Sequence, residues 1–116
     1  IAFPAIPVDV AVIHGLAGDK YGNVLINNNL GIDMELVYVA DTVIATVEKI
    51  VDELKPTADG VIVPFPGCNR VVLVPDGAKP TSCYPAYPVI GKHILEYVES
   101  CNAGKFDEFL SKFVQE

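Results

Sequence analysis

The chain has 116 residues, 51% apolar and 20% charged, with 8 Lys+Arg against 15 Asp+Glu and a formal charge of −7. This length and apolar content suit one folded domain and exclude a disordered chain, and no apolar run approaches the roughly 18–20 residues that a membrane-spanning helix needs. The negative charge argues against nucleic acid or an anionic membrane as a partner, since either would repel it.

Val8-Asp9-Val10-Ala11-Val12-Ile13 is β-branched and almost continuously apolar. It reads as a strand buried on both faces, the kind found in parallel sheets covered by helices. His14-Gly15 ends it, and Ala17-Gly18-Asp19-Lys20-Tyr21-Gly22-Asn23 follows as turn chemistry rich in Gly, Asp and Asn. Val24-Leu25-Ile26 resumes as a short strand, so the first two strands are expected to form a hairpin-like unit. Asn27-Asn28-Asn29 makes a polar loop, where Asn tolerates left-handed backbone.

Asp33 is placed to cap a short helix running to Ala40, with Glu35 in its first turn. Thr42-Val43-Ile44-Ala45-Thr46-Val47 is the second strong strand and is flanked by Glu48-Lys49. After the Lys55–Gly60 loop come two short strands, Val61-Ile62-Val63 and Val71-Val72-Leu73-Val74. Six of the nine prolines lie between Pro64 and Pro88, which predicts an extended stretch poor in helix.

The end of the chain is predicted helical. Ile94, Leu95, Tyr97, Val98 and Cys101 share one face, and Asn102-Ala103-Gly104 supplies a stop. Phe106, Phe109, Leu110, Phe113 and Val114 then follow the helical i, i+3, i+4, i+7, i+8 spacing. This gives a helical hairpin packed on a sheet. The class is α/β, an open sheet of mostly parallel or mixed strands covered by helices, in a single domain over 1–116.

Mean hydropathy is +0.37, high for a small soluble monomer, so apolar surface against a partner and self-association are expected. The chain opens Ile1-Ala2-Phe3-Pro4 without methionine and shows no basic n-region before an apolar stretch, which reads as a processed or excised piece without a secretory signal. Cys68, Cys83 and Cys101 match neither a disulfide framework nor a CxxC metal motif, and a zinc site would have to be assembled from scattered residues. Free thiols in a reducing cytoplasm are the expectation.

Neither GxGxxG, GxxxxGK[ST] nor GxSxG occurs, so a self-contained nucleotide site and a serine hydrolase both lack support. His14 ends a buried strand, where α/β proteins present functional side chains. With Asp19, Tyr21 and Asn23 it forms a polar site at the sheet's carboxyl edge, or else Asp19 and Asn23 are turn formers that satisfy backbone amides and His14 is a hydrogen-bonded strand-end residue. Glu48 also ends a strand, as a tuned nucleophile or base, or as an ion-paired strand end. Thr81 and Ser82 place hydroxyls beside Cys83 and Tyr84, and Cys83 as a nucleophile would need a base at hand.

Read together, these segments resemble the family I coenzyme A transferases. Pro7-Val8-Asp9-Val10-Ala11-Val12-Ile13-His14 and Ala17-Gly18-Asp19-Lys20-Tyr21-Gly22-Asn23-Val24 are similar to the pattern PDVALIH…ADxxGNV. Val39 to Val51 resembles AADxVIVTVEEIV. Gly77-Ala78-Lys79-Pro80-Thr81-Ser82-Cys83-Tyr84-Pro85 is similar to GAHPTSCYP of the glutaconate kind of A-type half, with Lys79 in place of histidine and, earlier, Gly18 in place of alanine.

The resemblance implies transfer of coenzyme A between an acyl-CoA thioester and a free carboxylate through a glutamyl intermediate. It implies an open α/β fold, coenzyme A or acyl-CoA as substrate with no permanently bound cofactor, and a site between A-type and B-type halves. The nucleophilic glutamate belongs to the B-type half, so no residue here is expected to be catalytic, Glu48 included. The chain is expected to be the carboxyl-terminal portion of an A-type subunit, inactive alone and partnered by a B-type subunit. His14, Asp19, Tyr21, Asn23, Glu48, Thr81, Ser82, Cys83 and Tyr84 are the channel or structural candidates, with no metal site. A non-catalytic α/β binding or assembly module retaining the scaffold is the competing expectation, and a thiol enzyme using Cys83 is a third.

Overall fold

The structure, a computed structural model, describes residues 4–113, and of Phe113 the backbone only. The Ile1-Ala2-Phe3 opening, Val114 and the Phe113 side chain lie outside the described residues. Among the described residues seven strands and three helices follow in the order β1 (Val8–Gly15), β2 (Ala17–Asp19), β3 (Val24–Asn27), α1 (Asp33–Val39), β4 (Ala40–Val47), β5 (Ile50–Val51), β6 (Gly60–Val63), β7 (Arg70–Leu73), α2 (Gly91–Asn102) and α3 (Phe106–Phe113). The class is α/β, with two sheets rather than one. The first is three-stranded in the order β1-β4-β7, and the second four-stranded in the order β5-β2-β3-β6.

The first sheet is wholly parallel, with Val8 opposite Ala40, His14 opposite Thr46, and Ile44 opposite Arg70. Alternation sends Ala11 and Ile13 of β1 and Val43, Ala45 and Val47 of β4 to one face, where they are buried with Val24, Ile26, Val63 and Cys68. Met34, Leu36 and Val37 of α1 pack against the same core. The opposite face is open: Val10 is 54% and Val12 63% exposed, and Val72 on β7 is exposed as well. The expectation of a strand buried on both faces therefore holds for one face only. Among the described residues the helical cover that parallel sheets require is present on the inner side alone.

Other local expectations are also corrected. The antiparallel hairpin joins β3 to β2, with Ala17 opposite Leu25, and not to β1. Residues 17–19, read as turn from their Gly and Asp content, are a buried strand pairing in parallel with β5 on its other side. Here tertiary pairing outweighs local preference. Asp33 is the first helical residue of α1, Ile32 holds the cap position, and no side chain caps the helix.

The two carboxyl-terminal helices pack on each other through edge-on contacts of the Tyr97 ring, 6.2 Å from Phe106 and 5.6 Å from Phe109. The hairpin does not lie on a sheet as its periodicity suggested. No α2 residue is buried, and Leu95, Val98 and Leu110 remain exposed. It meets the preceding loop at Pro80, whose carbonyl accepts the Ile90 N–H at 2.8 Å.

Candidate functional site at the strand ends

The parallel strands β1 and β4 deliver two side chains to their carboxyl ends. His14 and Thr46 are cross-strand partners, so their side chains share a face, and His14 Nδ1 lies 2.8 Å from Thr46 Oγ1. The Thr46 hydroxyl donates its single proton to the Ile13 carbonyl at 3.3 Å, so it accepts from Nδ1, and the proton count assigns Nδ1–H to the imidazole. The other nitrogen, Nε2, is 2.6 Å from Glu48 Oε1. Glu48 follows β4 directly, and its N–H donates to the Gly15 carbonyl at 3.2 Å, which continues the ladder and fixes where the carboxylate emerges.

The loop after β7 closes over this pair. Asp76, with φ of 63°, donates its N–H to Glu48 Oε2 at 2.8 Å. Gly77 sits directly on the imidazole, and a Cβ there would fall 2.9 Å from His14 Cε1, nearer than real carbon contacts. Tyr87 donates its hydroxyl to Glu48 Oε1 at 2.7 Å and accepts the Ala78 N–H at 3.0 Å. Cys83 and Tyr87 face each other as an antiparallel bridge, both N–H to carbonyl distances being 3.1 Å, which brings the Cys83 thiol to the cluster. One donor atom each from His14, Glu48 and Cys83 lies within 4.8 Å of the others.

The electrostatics follow from this packing. Burial pushes the Glu48 carboxyl up, but the Asp76 N–H, the Tyr87 hydroxyl and His14 together outweigh it and hold the group below the ordinary carboxylate range. Burial, and then the bond to Glu48, push the Tyr87 phenol up to about 12. Burial and then the Glu48 charge push the Cys83 thiol up, so it is neither exposed nor activated for attack. The Glu48 carboxylate, with both oxygens occupied, is a clamp joining β1, β4 and the loop 76–87.

Asp19, Tyr21 and Asn23 belong to a separate network. The buried Asp19 carboxylate accepts the N–H groups of Tyr21, Asn23 and Leu54 at 2.9, 3.0 and 3.1 Å and the Asn23 amide at 2.9 Å. Asn23 Oδ1 in turn accepts the Phe65 N–H at 3.0 Å. Both side chains tie loops together, and Tyr21 is exposed beneath the Lys20 ammonium, 5.3 Å from its ring centroid. Thr81 donates its hydroxyl to the Ala78 carbonyl within the loop. Ser82 is exposed, and Tyr84 is exposed beside the Asn27–Asn29 loop and Asp59. Thr46, Asp76 and Tyr87 were absent from the sequence candidates. Tyr87 lies just past the GAKPTSCYP segment, and only the register of the parallel ladder shows Thr46 opposite His14.

Residues 1–73 match the family model described as Coenzyme A transferase. The chain belongs to the coenzyme A transferase family. It is 36% identical over 86 residues to the A-type subunit of 3-oxoadipate CoA-transferase from Pseudomonas knackmussii, covering 74% of this chain and 30% of that one. The A-type subunit of glutaconate CoA-transferase from Acidaminococcus fermentans is 31% identical over 117 residues, covering 98% of this chain and 37% of that one. The crystal structure of the Acidaminococcus fermentans enzyme superposes with a TM-score of 0.83 at 29% identity, over 96% of this chain and 36% of that one. A variant of the decarboxylase AibA/AibB superposes with a TM-score of 0.83 at 34% identity, over 94% of this chain and 40% of that one. The chain thus spans two fifths or less of the length of these relatives. The likeness is to A-type subunits, as the motifs implied, and coenzyme A thioesters are the substrates of the family. No helix among the described residues is long and apolar enough to cross a membrane.

Proposed function

We propose that this chain supplies part of the A-type half of an acyl-CoA:carboxylate CoA-transferase of glutaconate-like kind, corresponding to its carboxyl-terminal portion. The likeness to two relatives that are both A-type subunits carries this reading. The covalent step is assigned to a glutamate of a B-type partner, which attacks the thioester carbonyl and expels CoA as the thiolate. The Glu48 geometry supports leaving the nucleophile there, because attack by Glu48 would break bonds to His14, Tyr87 and Asp76 at once. The role of this chain is to present the clamped 76–87 loop, with Lys79, Thr81, Ser82 and Tyr84, to substrate and partner. The open sheet face and the exposed α2–α3 hairpin support association, with a B-type partner or with itself.

The test is acyl exchange between an acyl-CoA and acetate. Activity is expected only when a B-type partner is added, with a CoA-linked glutamate found on that partner by mass spectrometry. Exchange by this chain alone overturns the assignment, and a complex that assembles without exchange favours the non-catalytic module. A second reading, supported by the likeness to the decarboxylase AibA/AibB, places the chain in a decarboxylating complex. Release of carbon dioxide from an acyl-CoA carboxylate, without exchange, would select it.

A further inference from the structure

We propose that His14, Glu48 and Cys83 form a binding site for a divalent transition-metal cation of the zinc type. The three donors are an imidazole nitrogen, a carboxylate oxygen and a thiol sulfur, a set that suits zinc or cobalt and not the oxygen-seeking magnesium or calcium. They converge within 4.8 Å of one another. Two donors on one tetrahedral zinc ion stand about 3.3–3.8 Å apart, so the His14–Glu48 pair would part by about 0.7 Å and the thiol approach by up to about 1.2 Å to close the site. The His14 and Glu48 side chains are 15% and 13% exposed and Cys83 is buried, so the donors are screened from water without being sealed off.

The surroundings carry the inference further than the distances do. A metal-binding imidazole typically donates its other N–H to a neighbouring acceptor, which fixes the ring. His14 already does this through Nδ1 and Thr46 Oγ1, itself oriented by the Ile13 carbonyl. Nε2 is therefore the nitrogen aimed into the cluster. Glu48 is likewise oriented from behind, by the Asp76 N–H on Oε2. The shell that holds metal ligands in place is in position, and a proton between Nε2 and Oε1 stands where the cation would bridge.

Binding balances without redox chemistry. Bonds form from the cation to Nε2, a Glu48 oxygen and Sγ, the S–H bond breaks, the proton shared between Nε2 and Oε1 is displaced, and the two protons leave to solvent. A water molecule fills the fourth position. Because the ligands come from β1, from the end of β4 and from the loop 76–87, the ion would rivet that loop to the strand ends. This inference does not depend on the transferase assignment.

Cobalt(II) is the probe. Titration of the full reduced chain should give a thiolate-to-cobalt charge-transfer band that saturates at one equivalent and is displaced by zinc. Cys83→Ser should abolish the band, His14→Gln should weaken cobalt binding at least tenfold, and Cys101→Ser, at an exposed thiol, should leave both unchanged. No band at one equivalent overturns the proposal, and so does a band lost in Cys101→Ser but kept in Cys83→Ser. X-ray absorption of the zinc-loaded native chain tests it without any variant. One sulfur in the first shell is expected, and none or two overturns the site.

Discussion

Gly18 on β2 and Val71 on β7 occupy complementary volumes: a Cβ added at Gly18 would lie 2.6 Å from Val71 Cγ1. Val71 thus fills the space that a methyl at position 18 would need. Gly18→Ala should cost about 1–3 kcal/mol by overpacking against a stiff β-branched side chain. Adding Val71→Ala should recover part of that loss. Denaturant unfolding of the two single variants and the double variant measures the coupling, and strictly additive losses would show that the contact is relieved elsewhere.

Tyr87→Phe removes the hydroxyl shared by Glu48 and the Ala78 N–H. The variant leaves a part-buried carboxylate with one donor fewer and a backbone amide unpaired, so a loss of about 1–3 kcal/mol is expected. Hydrogen exchange of the Asp76 and Ala78 amides should rise in the same variant, because the loop 76–87 loses its tie to β4. Unchanged exchange with lowered stability would locate the effect elsewhere.

Asp19 gives the molecule an acid-sensitive tie. Burial pushes its carboxyl up, but the Asn23 amide and the Leu54, Asn23 and Tyr21 N–H groups outweigh this and hold it below the ordinary range. A carboxyl held lower in the folded than in the unfolded chain stabilises the fold above its unfolded pKa of about 3.9, and that contribution disappears as pH falls through the folded value. Stability should therefore decline as pH is lowered from about 4. Asp19→Asn should be less stable at neutral pH and show a shallower acid decline, which denaturation midpoints across a pH series would record. Parallel declines in both proteins would assign the acid sensitivity to other carboxylates.

The open face of the β1-β4-β7 sheet should mediate association. Val10→Thr with Val12→Thr keeps side-chain shape at two exposed positions, so the stability change should stay within about 0.5 kcal/mol. Sedimentation velocity should show less self-association in the double variant than in the parent chain. Equal association would move the sticky surface to the α2–α3 hairpin, where Leu95 and Leu110 are the next positions to change.

How much was legible in advance differs between elements for physical reasons. The β-branched runs around Val10 and Ile44 declared themselves because extended backbone and apolar content coincide there. The α2 and α3 helices did so through periodicity, and their position off the sheets did not show because a moment gives a direction and names no neighbour. Residues 17–19 look like a turn in sequence because Gly and Asp favour turns locally, whereas ladders on both sides hold them extended.

Sequence alone determined the family, the α/β class and the order of most elements, because these rest on motifs and patterns that neighbouring residues carry by themselves. Only the tertiary structure decided that His14 meets Glu48 across 34 residues and that Glu48 meets Tyr87 across 39. It also decided that, among the described residues, Val10 and Val12 on one face of the parallel sheet stay exposed. Those outcomes depend on strand register and on how a proline-rich loop folds back, and register is a property of paired segments that no single stretch contains.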